Sequence, residues 1–223
     1  MTSVFKGYSR LKGRYNLIAV IDYGMGNLHS VTKALERLGY EAQVVTEPQQ
    51  LVDATAVILP GVGAFGDAMQ NLRQQNFVPA IYEYVKTGKP FLGICLGMQL
   101  LFDSSEEMGS HQGLGLIHGS VVRFQGDYKV PQMGWNELQL HNDQHFLFAG
   151  LNELTNKSYY VYFVHSYHAL ADNHQHVLAT TDYYGQVTAI VAKDNVMGMQ
   201  FHPEKSSEIG LKLLENFARE ARK

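Results

Sequence analysis

Cys95 stands in Gly93-Ile94-Cys95-Leu96-Gly97, a G-x-nucleophile-x-G pattern between an apolar run, Phe91 to Ile94, and a helical run, Leu96 to Phe102. A nucleophile at such a strand-to-helix turn is lifted above its sheet, with the helix N-terminus aimed at it. The two glycines relieve crowding at the turn. Unpaired N–H groups and the positive end of the helix dipole favour a thiolate. The N–H of Leu96 is the natural first donor to an oxyanion. A free cysteine also serves as a small apolar core residue, so the spacing by itself leaves both readings standing.

A thiol with a pKa of about 8.5 is barely ionised at neutral pH, so nucleophilic chemistry needs a base. Of ten histidines, His202 is singled out by Phe201-His202-Pro203-Glu204. Proline pushes the residue before it into an extended conformation, and residues i and i+2 of an extended chain face the same way. Glu204 is thereby placed to orient and charge-stabilise His202, giving a Cys-His-Glu triad in which the third member fixes the second. Taken alone, the motif also reads as a polar loop opening the last helix. A third segment, Pro60-Gly61-Val62-Gly63-Ala64-Phe65-Gly66, matches G-x-G-x-x-G at 61–66. Dinucleotide binding fails on context, because no acidic residue ends a strand about 20 positions later. A glycine-rich turn suits a second oxyanion donor instead. The pairs His141 with His145 and His174 with His176 lack a third ligand and read as solvated loops, so no metal site is expected.

These residues need a scaffold. From residue 17, β-rich runs alternate with helical periodicity, the signature of βαβ units around a parallel sheet. Strands are expected at Leu17 to Asp22, Glu41 to Thr46, Ala56 to Leu59 and Phe91 to Ile94. Helices are expected at Asn27 to Leu38 and from about Gly66 to Thr87, the latter broken near Pro79. Beyond about residue 114 short alternating runs follow, at Leu116 to Phe124, Glu137 to Leu140, Tyr159 to Val164, Val177 to Thr181, Val187 to Ala192 and Val196 to Phe201. This half is strand-rich and partly antiparallel. Ser206 or Ser207 is expected to cap a closing helix that buries Ile209, Leu213, Leu214 and Phe217. Residues 17–223 read as one domain, and residues 1–16, with Lys6, Arg10, Lys12 and Arg14, as a flexible extension.

The 223 residues are 45% hydrophobic and 17% charged, with a formal net charge of −3. A chain of this size buries a sizeable core without disulfides, and its single cysteine excludes an internal disulfide or a CxxC site. A reducing, cytoplasmic setting is expected. The near-neutral charge and scattered basic residues argue against nucleic acid or an anionic membrane as partner. The longest nearly apolar stretch, Phe91 to Phe102, falls short of the ~18–20 residues of a bilayer span.

Gly-Ile-Cys-Leu-Gly-Met-Gln at 93–99, His-Pro-Glu at 202–204 and Pro-Gly-Val-Gly-Ala-Phe at 60–65 resemble the class I, triad-type glutamine amidotransferases. Within that family, Asp-Tyr-Gly-Met-Gly-Asn-Leu at 22–28 and Pro-Gln-Met-Gly-Trp-Asn at 131–136 resemble the glutaminase branch that serves imidazole glycerol phosphate synthases in histidine biosynthesis. The resemblance runs from about residue 17 to the C-terminus. It implies a flavodoxin-like α/β fold: a mostly parallel sheet with helices on both faces and an additional strand-rich, partly antiparallel portion. It implies catalytic Cys95, His202 and Glu204, an oxyanion hole from Leu96 and the Gly61, Val62, Gly63 loop, and glutamine as substrate. Gln99, Glu107, His165, Ser166 and Tyr167 would bind that substrate. It further implies no cofactor, and a (β/α)8-barrel cyclase as partner in a heterodimer, met by Met133, Trp135 and Asn136. Trp135, the sole tryptophan, reads equally well as core packing. Other amidotransferases of the family, a cysteine hydrolase on the same fold, and a non-catalytic binding subunit are the competing readings. Gln99 speaks against the hydrolase, and the filled triad positions against the binding subunit.

Overall fold

In β1 (Leu17–Ile21), Ile18 and Val20 pack into one apolar cluster, and Ala19 and Ile21 into another. A strand buried on both faces belongs to a parallel sheet sandwiched between helices. The computed structural model describes residues 17–127, 129–155 and 158–222, so the extension expected at 1–16 lies outside the described residues. After β1 come α1 (Leu28–Arg37), β2 (Glu41–Val45), β3 (Ala56–Gly61), α2 (Phe65–Gln74), α3 (Phe77–Lys86), β4 (Phe91–Cys95) and a single turn, α4 (Leu96–Gln99). The second half holds β5 (Ser104–Ser105), β6 (His111–Gln112), β7 (Gly119–Arg123), β8 (Gln132–Leu140), a short α5 (Leu151–Leu154), β9 (Tyr160–His165) and β10 (Tyr167–Ala171). It closes with β11 (Val177–Asp182), β12 (Gln186–Lys193), β13 (Val196–Met199) and α6 (Ser207–Glu220).

Nine strands form one sheet in the order β2-β1-β3-β4-β13-β12-β11-β8-β9. Pairings from β2 through β13 are parallel, and the remaining four are antiparallel. The parallel part has the flavodoxin-like order. Residues of α1 and α6 fill the cluster on one face and those of α2 and α3 the cluster on the other. A second sheet, β10-β7-β5-β6, supplies the additional strand-rich portion. The chain passes from the large sheet to the small one at Ser166, the residue between β9 and β10. Among the described residues no helix is long and apolar enough to cross a membrane.

Four local expectations are corrected. The helical region after β3 breaks at Asn76 and not at Pro79: Asn76 adopts a left-handed conformation (φ 58°), which asparagine tolerates better than most residues. Pro79 sits in the first turn of α3, where an N–H has no intrahelical acceptor. The helical run after Cys95 is regular only to Gln99, because Leu101 and Phe102 donate to carbonyls three residues back, a tightening common at helix ends. Ser206 precedes α6 without capping it through its side chain. Instead its Oγ donates to the His202 carbonyl (2.7 Å) and accepts from the Tyr162 N–H (2.9 Å). Finally, β8 starts at Gln132, five positions before the expected Glu137. Gly134, poor in strand propensity, hides that start from a propensity reading.

Candidate active site

The site is built at the carboxyl ends of β3, β4 and β13, the edge where parallel α/β sheets bind ligands. Gly61 at the end of β3 lies in register with Cys95 at the end of β4. Cys95 has φ 56° and ψ −112°, a sparsely populated conformation that costs about 1–3 kcal/mol and recurs at functional positions. The sequence permits the turn because glycines stand two residues to either side, at 93 and 97. A Cβ on Gly97 would collide with the Leu59 carbonyl oxygen, and one on Gly93 would lie 2.5 Å from the Gly97 oxygen. The elbow is thus packed directly against β3 with no room for side chains at either flank.

Beyond β13 the chain bends at Gln200 and Phe201, is extended at His202 and then enters a single 3-10 turn, Pro203–Lys205, so Glu204 reaches His202 from that turn and not from the extended chain expected. Phe201 turns into the core, edge-on to Phe163 at 5.7 Å between ring centroids. Gln200 and His202 face Cys95. Nδ1 of His202 lies 2.9 Å from Oε1 of Glu204, and both side chains are almost wholly buried. That contact leaves Nε2 as the ring nitrogen for the thiol. Burial opposes charge on His202, yet its interactions with the side chains of Cys95 and Glu204 prevail and push it up to about 9. His202 is thereby held in its protonated form beside Cys95.

A cavity of about 340 Å³ opens over the thiol. Cys95, Leu96, His202, Val62 and Gly63 line it on the triad side, while Gln99, Glu107, His165, Ser166 and Tyr167 line it opposite. Gly61 is buried and does not line the cavity; a Cβ there would lie 2.6 Å from the Tyr23 hydroxyl. Glu107 reaches the start of α2 and accepts the Phe65 N–H at 2.7 Å. Gln99 is buried, and its Nε2 donates to the Tyr167 carbonyl (2.8 Å) and to Gln200 Oε1 (3.0 Å). His165 shares that carbonyl through Nδ1 at 2.8 Å. Burial, outweighing the Tyr167 bond, lowers His165 to about 4 and keeps it neutral.

Met133 and Trp135 stand on an exposed face of the β8–β9 edge, 58% and 51% accessible. Trp135 pairs across the strands with Tyr162, centroids 6.1 Å apart. Asn136, one residue on, faces away from them: its amide accepts from Gln132 and donates to the Asp182 carbonyl, holding strands together. His141 bonds Thr180 at 2.9 Å, and His145 receives the Leu147 N–H. Among the described residues no three His, Cys, Asp or Glu side chains gather as metal ligands.

The sequence reading missed Gln200 and Tyr23. Gln200 was reachable by the i, i+2 rule, since it lies two residues before His202 and shares its facing toward Cys95. Its Nε2 is 3.9 Å from Cys95 Sγ. Tyr23 gave no signal, because its approach to Gly61 depends on how β1 and β3 lie side by side.

The sequence profile of the family described as glutamine amidotransferase class-I matches residues 19–221. Among curated relatives, the imidazole glycerol phosphate synthase subunit HisH of Sulfurimonas denitrificans is 50% identical over 208 residues, covering 91% of this chain and 98% of its own. That of a Geobacillus species is 51% identical over 208 residues, covering 91% and 96%. The solved structure of PurLQS from Thermotoga maritima superposes with a TM-score of 0.71 at 20% identity, covering 92% and 97%, and shows the shared fold. The chain belongs to the class I glutamine amidotransferase family and, within it, to the HisH subunits of imidazole glycerol phosphate synthases.

Proposed function

We propose that the cavity over Cys95 binds glutamine and releases its side-chain amide as ammonia to a second subunit. The observation that carries this reading is the convergence of Cys95, His202 and Glu204 from two strand ends beside Gln99 and the Gly61–Gly63 turn. Sγ of Cys95 attacks the carboxamide carbon, and the tetrahedral oxyanion is held by backbone N–H groups of Leu96 and of the Gly61, Val62, Gly63 loop. His202, protonated beside the thiolate, gives its proton to the departing nitrogen; ammonia leaves and a γ-glutamyl thioester remains on Sγ. His202, now neutral, takes a proton from water as it attacks the thioester carbon. Collapse releases glutamate and restores the ion pair. Glu204 holds the imidazole in one orientation throughout. Gln99, Glu107, His165, Ser166 and Tyr167 surround the amino-acid end of the substrate.

Ammonia set free in water becomes ammonium, which is no nucleophile, so the product needs a sheltered route to its acceptor. The exposed face of Met133, Trp135 and Tyr160 adjoins the cavity, since Met133 lies in register with Val164, which lines it. Exposed aromatic and methionine side chains in one patch suit a protein partner. We assign this face to a cyclase subunit of (β/α)8-barrel form, in a heterodimer that makes imidazole glycerol phosphate. The lone thiol at the site suits a reducing, cytoplasmic setting.

The test is glutamate release with and without the barrel cyclase loaded with its nucleotide ligand, before and after alkylation of the thiol. The reading requires turnover that rises with the loaded partner and disappears on alkylation. Turnover indifferent to the partner contradicts the pairing, and turnover surviving alkylation contradicts the chemistry.

A further inference from the structure

Three amides form a directed chain that ends on the nucleophile. The Tyr167 carbonyl can only accept, so the Gln99 group facing it must be the NH2. That NH2 also donates to Oε1 of Gln200 (3.0 Å), which leaves Gln200 its own NH2 to present to Cys95 Sγ, 3.9 Å away. The side-chain orientation of each amide is thus dictated by its neighbour and, ultimately, by a main-chain carbonyl. Gln200 is wholly buried, and Gln99 and Cys95 nearly so. In such surroundings a donor aimed at a charge is worth more than in water, and a hydrogen bond to the ionised form favours that form.

We propose that Gln200 holds Cys95 as the thiolate, with Gln99 acting through it as the positioning residue that fixes which end of the Gln200 amide meets the sulfur. The proposal rests on Cys95 being the nucleophile. It gives the thiolate two donors: the imidazolium of His202 supplies charge, and Gln200 supplies a neutral donor that stays in place when His202 hands its proton to the leaving nitrogen. At that moment the sulfur is bonded to carbon in the tetrahedral adduct, which becomes the thioester as ammonia leaves. When the thioester collapses and the sulfur regains its charge, Gln200 is already oriented to receive it. Gln99 accordingly has a task beyond lining the substrate cavity, because the same NH2 that ties it to Tyr167 sets the polarity of the donor at the thiol.

The titratable groups around the sulfur are His202 after β13, Tyr23 after β1 and, across the cavity, His165 at the end of β9 and Glu107 after β5. Gln200→Met leaves all of these in place and adds no charge, so it isolates the amide, whereas Gln200→Glu adds a charge of its own. The pH dependence of alkylation of Cys95, the only thiol in the chain, is measured with iodoacetamide in the absence of glutamine. Gln200→Glu keeps an acceptor for Gln99 but sets a carboxylate oxygen against the sulfur. Gln200→Met removes the donor while keeping an unbranched side chain of similar size, and serves should the buried carboxylate prevent folding. Each variant should move the midpoint of the alkylation profile upward, by roughly one unit for Gln200→Met and further for Gln200→Glu. In glutamine hydrolysis kcat should fall with KM little changed, and Gln200→His, which retains a ring N–H donor, should recover part of the shift. A midpoint unmoved in Gln200→Met overturns the proposal, whatever Gln200→Glu does. Because alkylation reads the thiol without turnover, that result would leave the nucleophile assignment to be judged separately by Cys95→Ala.

Discussion

Oε1 of Glu204 and Nδ1 of His202 are 2.9 Å apart, Glu204 standing in the 3-10 turn Pro203–Lys205 that follows His202, with side chains 1% and 4% accessible. Removing the charge while keeping the shape tests what the contact does. Glu204→Gln should lower kcat for glutamine hydrolysis by about 10²–10⁴-fold with KM nearly unchanged, the range for a disabled acid–base group. Steady-state kinetics of the partner-loaded enzyme check this.

The raised value of His202 sets a pH window. The group is held charged up to about 9 in the native state, against an ordinary value near 6.5. Its contribution to stability is therefore fully present below about 6.5 and is lost as pH rises through about 9. Activity should follow, since the imidazolium that protonates the leaving nitrogen is titrated away over the same range. In Cys95→Ala one of the interactions that raises His202 is gone, so its titration, followed by imidazole proton resonances, should shift to lower pH.

His165 works in the opposite sense. Its native value of about 4 lies below the ordinary 6.5, so between these limits the unfolded chain binds more protons than the folded one. Stability should rise with pH across that interval, by about 3 kcal/mol in total from this group. Denaturant titrations at pH 4.5 and 7 should show the slope, and His165→Gln should flatten it.

The elbow tolerates nothing larger than glycine at its C-terminal flank. Gly97→Ala would drive a methyl into the Leu59 carbonyl, and should cost about 3 kcal/mol or more by displacing β3 or the turn. Urea unfolding midpoints measure this, with Gly88→Ala as comparison, where a Cβ meets no atom within 4 Å and only the left-handed backbone (φ 76°) opposes it, at about 1–2 kcal/mol.

Trp135 is half exposed and touches Tyr162 alone among the aromatic rings described around it. Trp135→Ala should change the thermal stability of the isolated chain little while weakening association with the barrel partner by roughly 2 kcal/mol, about 30-fold in Kd. Calorimetric titration separates the two effects.

What could be foreseen follows from whether a property is local. The glycines around Cys95, the proline after His202 and the two-residue step to Glu204 constrain backbone geometry within a few residues, and the structure brings those three side chains together. The parallel sheet was legible for the same reason, since β1 and β4 at its centre are continuous apolar runs and β3 is one as far as Leu59. Asn76 escaped because left-handed geometry leaves no imprint on periodicity, and Pro79 nearby drew the eye. Ser206 has the residue type of a cap, but β9 and the His202 carbonyl compete for its hydroxyl. The facing of Trp135 needed the partner strand to be known, as did the separation of Asn136 from it. Gln200 lay within reach of the period-two argument but carries a side chain that is ordinarily solvent-facing.

The central claim is that the Cys95 sulfur carries the γ-glutamyl group. Cys95→Ala, assayed for glutamate release in complex with the nucleotide-loaded barrel subunit, tests it most directly, provided the variant binds that subunit as the native chain does. The account predicts a loss of at least ~10³-fold, to the level left by binding and the oxyanion donors alone. Glutamate release within tenfold of the native chain would contradict it.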